Sequence, residues 1–305
     1  MNKKILFLVN PKAGKTVIKG NLLEIIRIFS DDGYLVDVYP TKNSEDTTRM
    51  VVERGAHYTM IVCAGGDGTL DSTVAGVVAL ERQLKKRVPL GYIPCGSTND
   101  YGRSLRISRN PLAAAKAIVK GKPCCVDVGQ LEKKHFIYVA AFGVLTEVSY
   151  STSQNLKNTL GYGAYVLEAA KNLANTKTYR MNLTLDRDTI TGEFIYGQIT
   201  NSRSVGGIRN IAPNNKKMQF SDGKFEVALI RRPENPQRLT QIISSILTGN
   251  MDDPYVVYRM ASRVTVRSDS PVAWTTDGEY GGTYKNCRIL NLHKALPIML
   301  DVKHI

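Results

Sequence analysis

Three short stretches of this chain carry residues that could hold a phosphate. Asn10-Pro-Lys-Ala-Gly-Lys-Thr16, Gly65-Gly-Asp-Gly-Thr-Leu-Asp71 and Pro94-Cys-Gly-Ser-Thr-Asn-Asp100 each follow an apolar run and precede residues of helical character. Glycine lets a ligand approach the backbone closely. The first N–H groups of a helix point outward unsatisfied, at the positive end of its dipole. Together these features make an anion site. The second stretch adds Asp67 where a cation and a phosphate would meet, and Thr69 is expected to cap the helix that follows. A bare strand-to-helix turn is the alternative for each loop taken alone. The Gly-Lys-Thr of the first loop resembles the end of a Walker A motif, but the motif's leading glycine falls at Val9, which excludes a true P-loop. Three such turns at the same ends of neighbouring parallel strands would converge on one crevice.

The elements that must position these loops can be read from periodicity. Lys4–Val9, Tyr34–Tyr39, Tyr58–Ala64 and Val88–Ile93 read as strands, and Leu22–Ser30, Thr47–Gly55, Ser72–Glu81 and Leu112–Lys120 as helices. This alternation predicts βαβ units and an α/β domain with a mostly parallel sheet. From Cys125 the rhythm changes to β-type runs: Phe136–Phe142, Met181–Asp186, Thr191–Thr200, Lys224–Ile230, Arg263–Ser268 and Cys287–Leu292. They predict a β-sandwich, interrupted by helices at Ala164–Ala174 and Gln237–Leu247. The expected division is 1–128 and 129–294, with 295–305 returning to the first domain, and a cleft between the two as the default ligand site.

Composition narrows the class. The 305 residues are 43% hydrophobic and 22% charged, as in a soluble globular protein. No apolar run approaches the ~20 residues of a membrane span. The N-terminal segment reads as a first strand and not as a signal peptide. Five cysteines without metal spacing suggest free thiols in a reducing cytoplasm, and four scattered histidines give zinc no support. A net charge of +14 favours an anionic partner, either nucleic acid or an acidic membrane surface. The basic residues form short pairs without an aromatic-interleaved motif, which argues against nucleic acid.

Gly-Gly-Asp-Gly-Thr-Leu70, the Asn-Pro-Lys-Ala-Gly14 loop and the Gly-Ser-Thr-Asn-Asp100 loop together resemble the soluble diacylglycerol kinase catalytic family, which includes sphingosine, ceramide and bacterial lipid kinases. Downstream, Gly206-Gly-Ile-Arg-Asn-Ile-Ala-Pro213, Ser221-Asp-Gly-Lys-Phe-Glu-Val227 and Asp277-Gly-Glu279 are similar to that family's later motifs. The resemblance runs the length of the chain and is nearest to the Gram-positive bacterial enzymes. It implies an NAD-kinase/phosphofructokinase-like first domain in three layers. It also implies ATP on Asn10, Pro11, Lys12, Ala13, Gly14, Thr41, Gly65, Gly66, Asp67, Gly68, Thr69, Leu70, Asp71 and Ser97.

The resemblance further implies Mg2+ organised through water by Asp67, Asp100 and Asp127. A second Mg2+ would lie on the Asp222 carboxylate with backbone carbonyls at Gln219 and Lys224, and Glu279 would be the general base. The expected reaction moves the ATP γ-phosphate to a lipid hydroxyl, most naturally diacylglycerol, in a cytoplasmic protein working at an anionic membrane surface. The resemblance implies a homodimer, which no sequence pattern marks. Asp71 and Ser72 replace the family's usual Asn-Glu, and Ser221 replaces an aspartate common in bacterial members. The rival readings are an NAD kinase-like enzyme and a catalytically inert lipid-binding homologue.

Overall fold

The computed structural model describes residues 3–13, 17–144, 146, 176–201, 204–205, 208–209, 220–247 and 252–301. Gly14, Gln219, the expected helix at Ala164–Ala174 and most of the Gly206–Pro213 stretch lie outside them. The chain divides into two compact units, Met1–Val128 with His293–Ile305, and Gly129–Leu292.

In the first unit, β1 (Lys3–Val9) pairs in parallel with β2 (Tyr34–Pro40) and with β3 (Met60–Gly65). β3 pairs in parallel with β4 (Leu90–Pro94). Both faces of β1, β3 and β4 are covered, so these three read as apolar runs, whereas β2 has no buried residue and lies at the sheet's edge. Ile5, Phe7, Val9, Met60, Val62 and Ala64 pack with Ile18, Ile25 and Phe29 of helix α1 (Val17–Asp31). Ala114, Ala115 and Ile118 of α5 (Pro111–Lys120) join that core, and α1 packs on α5. The alternate strand residues Leu6, Leu8, Ile61 and Cys63 are also fully buried. Helices α2 (Ser44–Arg54) and α3 (Asp67–Leu84) pack on one another. A Cβ on Gly76 of α3 would strike Val51 of α2 at 2.6 Å, so that glycine is set by close approach.

The ends of these elements are chemically specified. Asn43 caps α2 by accepting the Asp46 N–H, and Asn110 caps α5 by accepting the N–H groups of Leu112 and Ala113. The α3 helix starts earlier than the sequence pattern suggested. Its N-cap is Gly66, with no side-chain cap, and Thr69 lies inside the first turn, where its hydroxyl accepts a bond from Asn10. The expected Thr69 cap is therefore incorrect. Lys85, in the left-handed region at φ 54°, stops the helix. A short helix α4 (Asp100–Ser104) follows the third loop.

The second unit is strand-rich and its pairs are antiparallel. β8 (Tyr179–Leu185) pairs with β9 (Asp188–Thr200), β9 with β7 (Val139–Gly143), β7 with β14 (Arg263–Thr276), and β14 with β8. β8 and β7 thus lie end to end between β9 and β14, β8 against Asp188–Phe194 and Val264–Ser268, β7 against Tyr196–Thr200 and Trp274–Thr276. β10 (Ser204–Val205) and β11 (Ile208–Arg209) form a separate antiparallel pair, β12 (Phe225–Arg231) and β13 (Val256–Ala261) extend from β9, and β15 (Glu279–Leu300) pairs with β14. The core holds Trp274 against Phe142, with ring centroids 4.9 Å apart, and Phe136 stacked on Phe225 at 5.7 Å. Helix α6 (Pro236–Leu247) buries Leu239, Ile242 and Ile243 beside Ile195 and Ile230.

The run Phe136–Phe142, expected as one strand, is two: β6 (Lys134–Phe136), which pairs with β5 (Lys122–Leu131), and β7. β14 and β15 are much longer than expected. Register shifts at Arg267/Val272 and Trp274/Thr275 accompany their course past Pro271 and Gly281-Gly282, which lie between the expected runs ending at Ser268 and starting at Cys287.

Candidate active site

The three loops do meet. Asn10 N–H donates to Ala64 C=O at 2.9 Å, so the first loop leaves β1 alongside the end of β3. The Asn10 amide then joins loop to helix: its nitrogen donates to Thr69 Oγ1 at 2.9 Å and its oxygen accepts Lys12 N–H at 2.9 Å. Between the second and third loops, Cys95 N–H donates to Gly65 C=O at 2.7 Å. A Cβ on Gly96 would come within 2.6 Å of the Gly66 Cα, and one on Gly66 within 3.3 Å of the Gly96 Cα. These two glycines are thus required by each other. Asn99, at φ 51°, fixes the third loop by accepting Gly96 N–H at 2.8 Å and donating to Gly96 C=O at 2.7 Å. Gly68 differs, because a Cβ there would meet nothing within 4 Å. Its face is open space.

That space is a cavity of about 400 Å³. Of the residues singled out in sequence, Asn10, Lys12, Ala13, Thr41, Gly66, Gly68, Thr69 and Ser97 line it. Pro11, Gly65, Asp67, Leu70 and Asp71 do not. The N-terminus of α3 opens onto the cavity at Gly68 and Thr69, and that of α2 opens at Asn43 and Ser44. Two helix dipoles therefore favour negative charge in it. Gly96 of the third loop and Ser72 beside the second also line the cavity, as do Lys42, Asn43, Ser44 and Thr47, which belong to none of the motifs named above. Asn43 and Asp46 stand three apart at the start of a helix, the spacing of a capping box, and that signal would have found this wall. Ser72, the departure from the family pattern, donates to Gly68 C=O at 2.8 Å.

Asp67 lies in the first turn of α3, where its carboxylate accepts Asp100 N–H at 3.2 Å and Tyr101 N–H at 3.4 Å. Burial, and then the Asp100 carboxylate against the pull of these N–H donors, leaves its pKa above the ordinary aspartate value. A carboxylate pair of this kind suits Mg2+, which takes one or two carboxylates together with waters and substrate phosphates. Asp127 is fully buried on β5, and its carboxylate accepts Lys294 N–H at 2.7 Å, a bond within the fold. Among the described residues no group of three or more His, Cys, Asp or Glu side chains is placed to hold a metal. Asp222 accepts Lys224 N–H at 3.0 Å across Gly223, at φ 77°, as in an ordinary Asx turn.

In the second unit, Asp277 and Gly278 have φ of 51° and 84° and join β14 to β15 as a two-residue hairpin, with Thr276 paired to Glu279. Both positive values match a type I′ turn, for which Asp-Gly is a preferred pair. Asp277 is buried and its carboxylate accepts three backbone N–H groups, from Ile137 at 2.6 Å, Tyr138 at 3.0 Å and Val139 at 2.9 Å. Glu279 is exposed, and no hydrogen bond or ion pair engages its side chain among the described residues. One carboxylate holds structure and the other is available for chemistry. Lys134 Nζ donates to Tyr280 C=O at 2.6 Å, steadying the strand beside Glu279. No helix among the described residues is long and apolar enough to cross a membrane.

Residues 4–131 match the diacylglycerol kinase catalytic domain, and residues 139–303 match the YegS C-terminal NAD kinase beta sandwich-like domain. A diacylglycerol kinase of Bacillus subtilis (strain 168) is 30% identical over 301 residues, covering 98% of this chain and 96% of its own. One of Staphylococcus aureus (strain JH9) is 30% identical over 301 residues, covering 98% and 92%. A solved diacylglycerol kinase structure from Bacillus anthracis str. Sterne superposes with TM-score 0.75 at 22% identity, covering 99% of this chain and 98% of that one. A second structure from that organism gives TM-score 0.81 at 24% identity, covering 99% and 98%. At such identities the superpositions speak for the fold.

Proposed function

The chain belongs to the diacylglycerol kinase family, and from that premise we propose that it transfers the γ-phosphate of ATP to the free hydroxyl of diacylglycerol, giving phosphatidic acid. The observation that carries this reading is the single cavity onto which three loops and two helix N-termini open. In it, a triphosphate meets backbone N–H groups held by the Asn10–Thr69 and Asn99–Gly96 bonds. Phosphoryl transfer depends mainly on positioning and on neutralising charge, and a preformed loop set supplies both. We read the first unit as a three-layer nucleotide-binding domain.

In the transfer step the lipid oxygen forms a bond to the γ-phosphorus while the bond from that phosphorus to the β,γ-bridging oxygen breaks, and ADP leaves. The hydroxyl proton passes to the Glu279 carboxylate, which no other protein group engages among the described residues. Asp67 and Asp100 would hold Mg2+, which when bound neutralises phosphate charge. The excess of 41 basic over 27 acidic residues would draw the protein to an anionic lipid surface, with each basic residue near it contributing about 1 kcal/mol.

The test is transfer from labelled ATP to a panel of diacylglycerol, other hydroxyl lipids, NAD and water. Labelled phosphatidic acid is expected. Transfer to NAD in its place would make this an NAD kinase-like enzyme. No transfer to any acceptor, with lipid still bound, would make it an inert homologue.

A further inference from the structure

One wall of the cavity, formed by Thr41, Lys42, Asn43, Ser44 and Thr47, hangs on a carboxylate that does not itself line the cavity. Asp46 is 7% exposed. Its Oδ2 accepts Lys42 N–H at 3.0 Å, and its two oxygens share the Tyr39 hydroxyl at 3.0 and 3.2 Å. Its Oδ1 accepts Arg49 Nη2 at 2.6 Å, while the Asp46 N–H donates to Asn43 Oδ1 at 2.8 Å. One side chain thus ties the end of β2, the connecting loop and the first turns of α2. The Lys42 N–H foremost, with Tyr39 and Arg49 behind it, holds the Asp46 carboxyl below the ordinary aspartate value.

The partners differ in what they can do. Arg49 is half exposed and also pairs with Glu53 at 3.1 Å, so its ion pair lies toward solvent and contributes little. The Lys42 bond is charge-assisted and holds the middle of the loop. At either end the loop has other anchors: Thr41 N–H donates to Val9 C=O at 2.9 Å, and Asn43 caps α2. Only the stretch between them depends on Asp46.

We propose that Asp46 is a positioning residue for nucleotide binding, holding the Lys42 backbone, between the Thr41 and Asn43 anchors, in the shape against which the nucleotide lies. This rests on reading the cavity as the ATP site. Because the wall is used equally before and during transfer, its loss weakens affinity and leaves the chemical step alone, so KM rises while kcat holds.

The experiment titrates MgATP into the full chain by calorimetry, for wild type, Asp46→Ala, Asp46→Asn, Tyr39→Phe and Arg49→Met. Turnover at saturating ATP and hydrogen exchange of residues 41–44 are measured alongside. Asp46→Ala should weaken Kd by about tenfold or more with kcat within about threefold, and exchange in the loop should accelerate. Asp46→Asn, which keeps an acceptor for Lys42 N–H, should fall between Ala and wild type, and Arg49→Met should bind as wild type does. If Asp46→Ala does not fold, Asp46→Asn and Tyr39→Phe carry the same expectation at smaller size. Unchanged ATP affinity in the folded Asp46 variants, beside a wild type that binds, overturns this proposal alone. A wild type that does not bind ATP overturns it together with the reading of the cavity. A loss of kcat with Kd unchanged overturns it by moving Asp46 into the chemical step.

Discussion

Replacing Asp277 by Asn should cost the second unit far more stability than replacing its neighbour Glu279 by Gln. The Asp277 carboxylate is buried and accepts three backbone N–H groups, Tyr138 and Val139 on Oδ1 and Ile137 on Oδ2. In the Asn variant the remaining oxygen can keep two of these bonds at neutral strength. The amide nitrogen then faces the Ile137 N–H, donor against donor. A hydrogen bond to a charged group contributes about 1.5–3 kcal/mol, and an orphaned buried donor costs about 1–3 kcal/mol. The net loss should therefore be about 2–3 kcal/mol. Backbone preference does not explain it, because Asn tolerates the left-handed φ of 51° as Asp does. For a unit of this size the loss should lower Tm by about 4–12 °C. Glu279→Gln, at an exposed residue without a partner among the described residues, should stay within about 0.5 kcal/mol. Urea unfolding with unchanged m, checked by calorimetry, reads both. Equal stability of the two variants would refute the division of labour across Asp-Gly-Glu.

Glu279→Gln should lose about 10²-fold or more in turnover with ATP affinity unchanged, measured with chemistry shown to limit the rate; a loss confined to ATP affinity would move Glu279 to the nucleotide side. Asp67→Asn should abolish transfer yet be as stable as wild type or more so at pH 7. Because the folded pKa of Asp67 is raised, its charged form is disfavoured in the fold, so any gain should shrink as pH falls toward the unfolded value of 3.8. Unfolding midpoints across pH check the sign. Binding to vesicles should need anionic lipid and weaken as salt rises, and sedimentation that gives equal binding to neutral vesicles would reduce the charge of +14 to a solvated surface.

Much of the site could be read from the sequence because its glycines sit where strands end, and both features have local signatures. What they were for was less legible. Gly66 and Gly96 lie 30 residues apart, and nothing in either loop announces that they pack against each other. In the sequence the Thr69 hydroxyl reads as a cap because the helical pattern starts there. In the fold it is the acceptor for Asn10, a bond made across 59 residues. Lys42, Asn43 and Ser44 read in the sequence as an ordinary polar connection after a strand, although Asn43 and Asp46 carry a capping signal. The long strands β14 and β15 were cut short for the opposite reason. Pro271 and Gly281-Gly282 are strong local breakers, and the β14–β15 pairing, with its register shifts, carries the strands past them.

The course of β15 sets a timetable for the growing chain. Its last residues belong to the first unit: Ile298 pairs in parallel with Leu90 of β4, Leu296, Ile298 and Leu300 are buried, and Lys294 supplies the N–H that the Asp127 carboxylate accepts. A ribosome that has finished Val128 must add the whole second unit before reaching His293. At about 5–20 residues per second, that interval is roughly 8–30 s. Throughout it the nascent first unit has every loop of its cavity but lacks the strand beside β4. The exposed edge there is a place for a chaperone to hold or a neighbouring chain to pair.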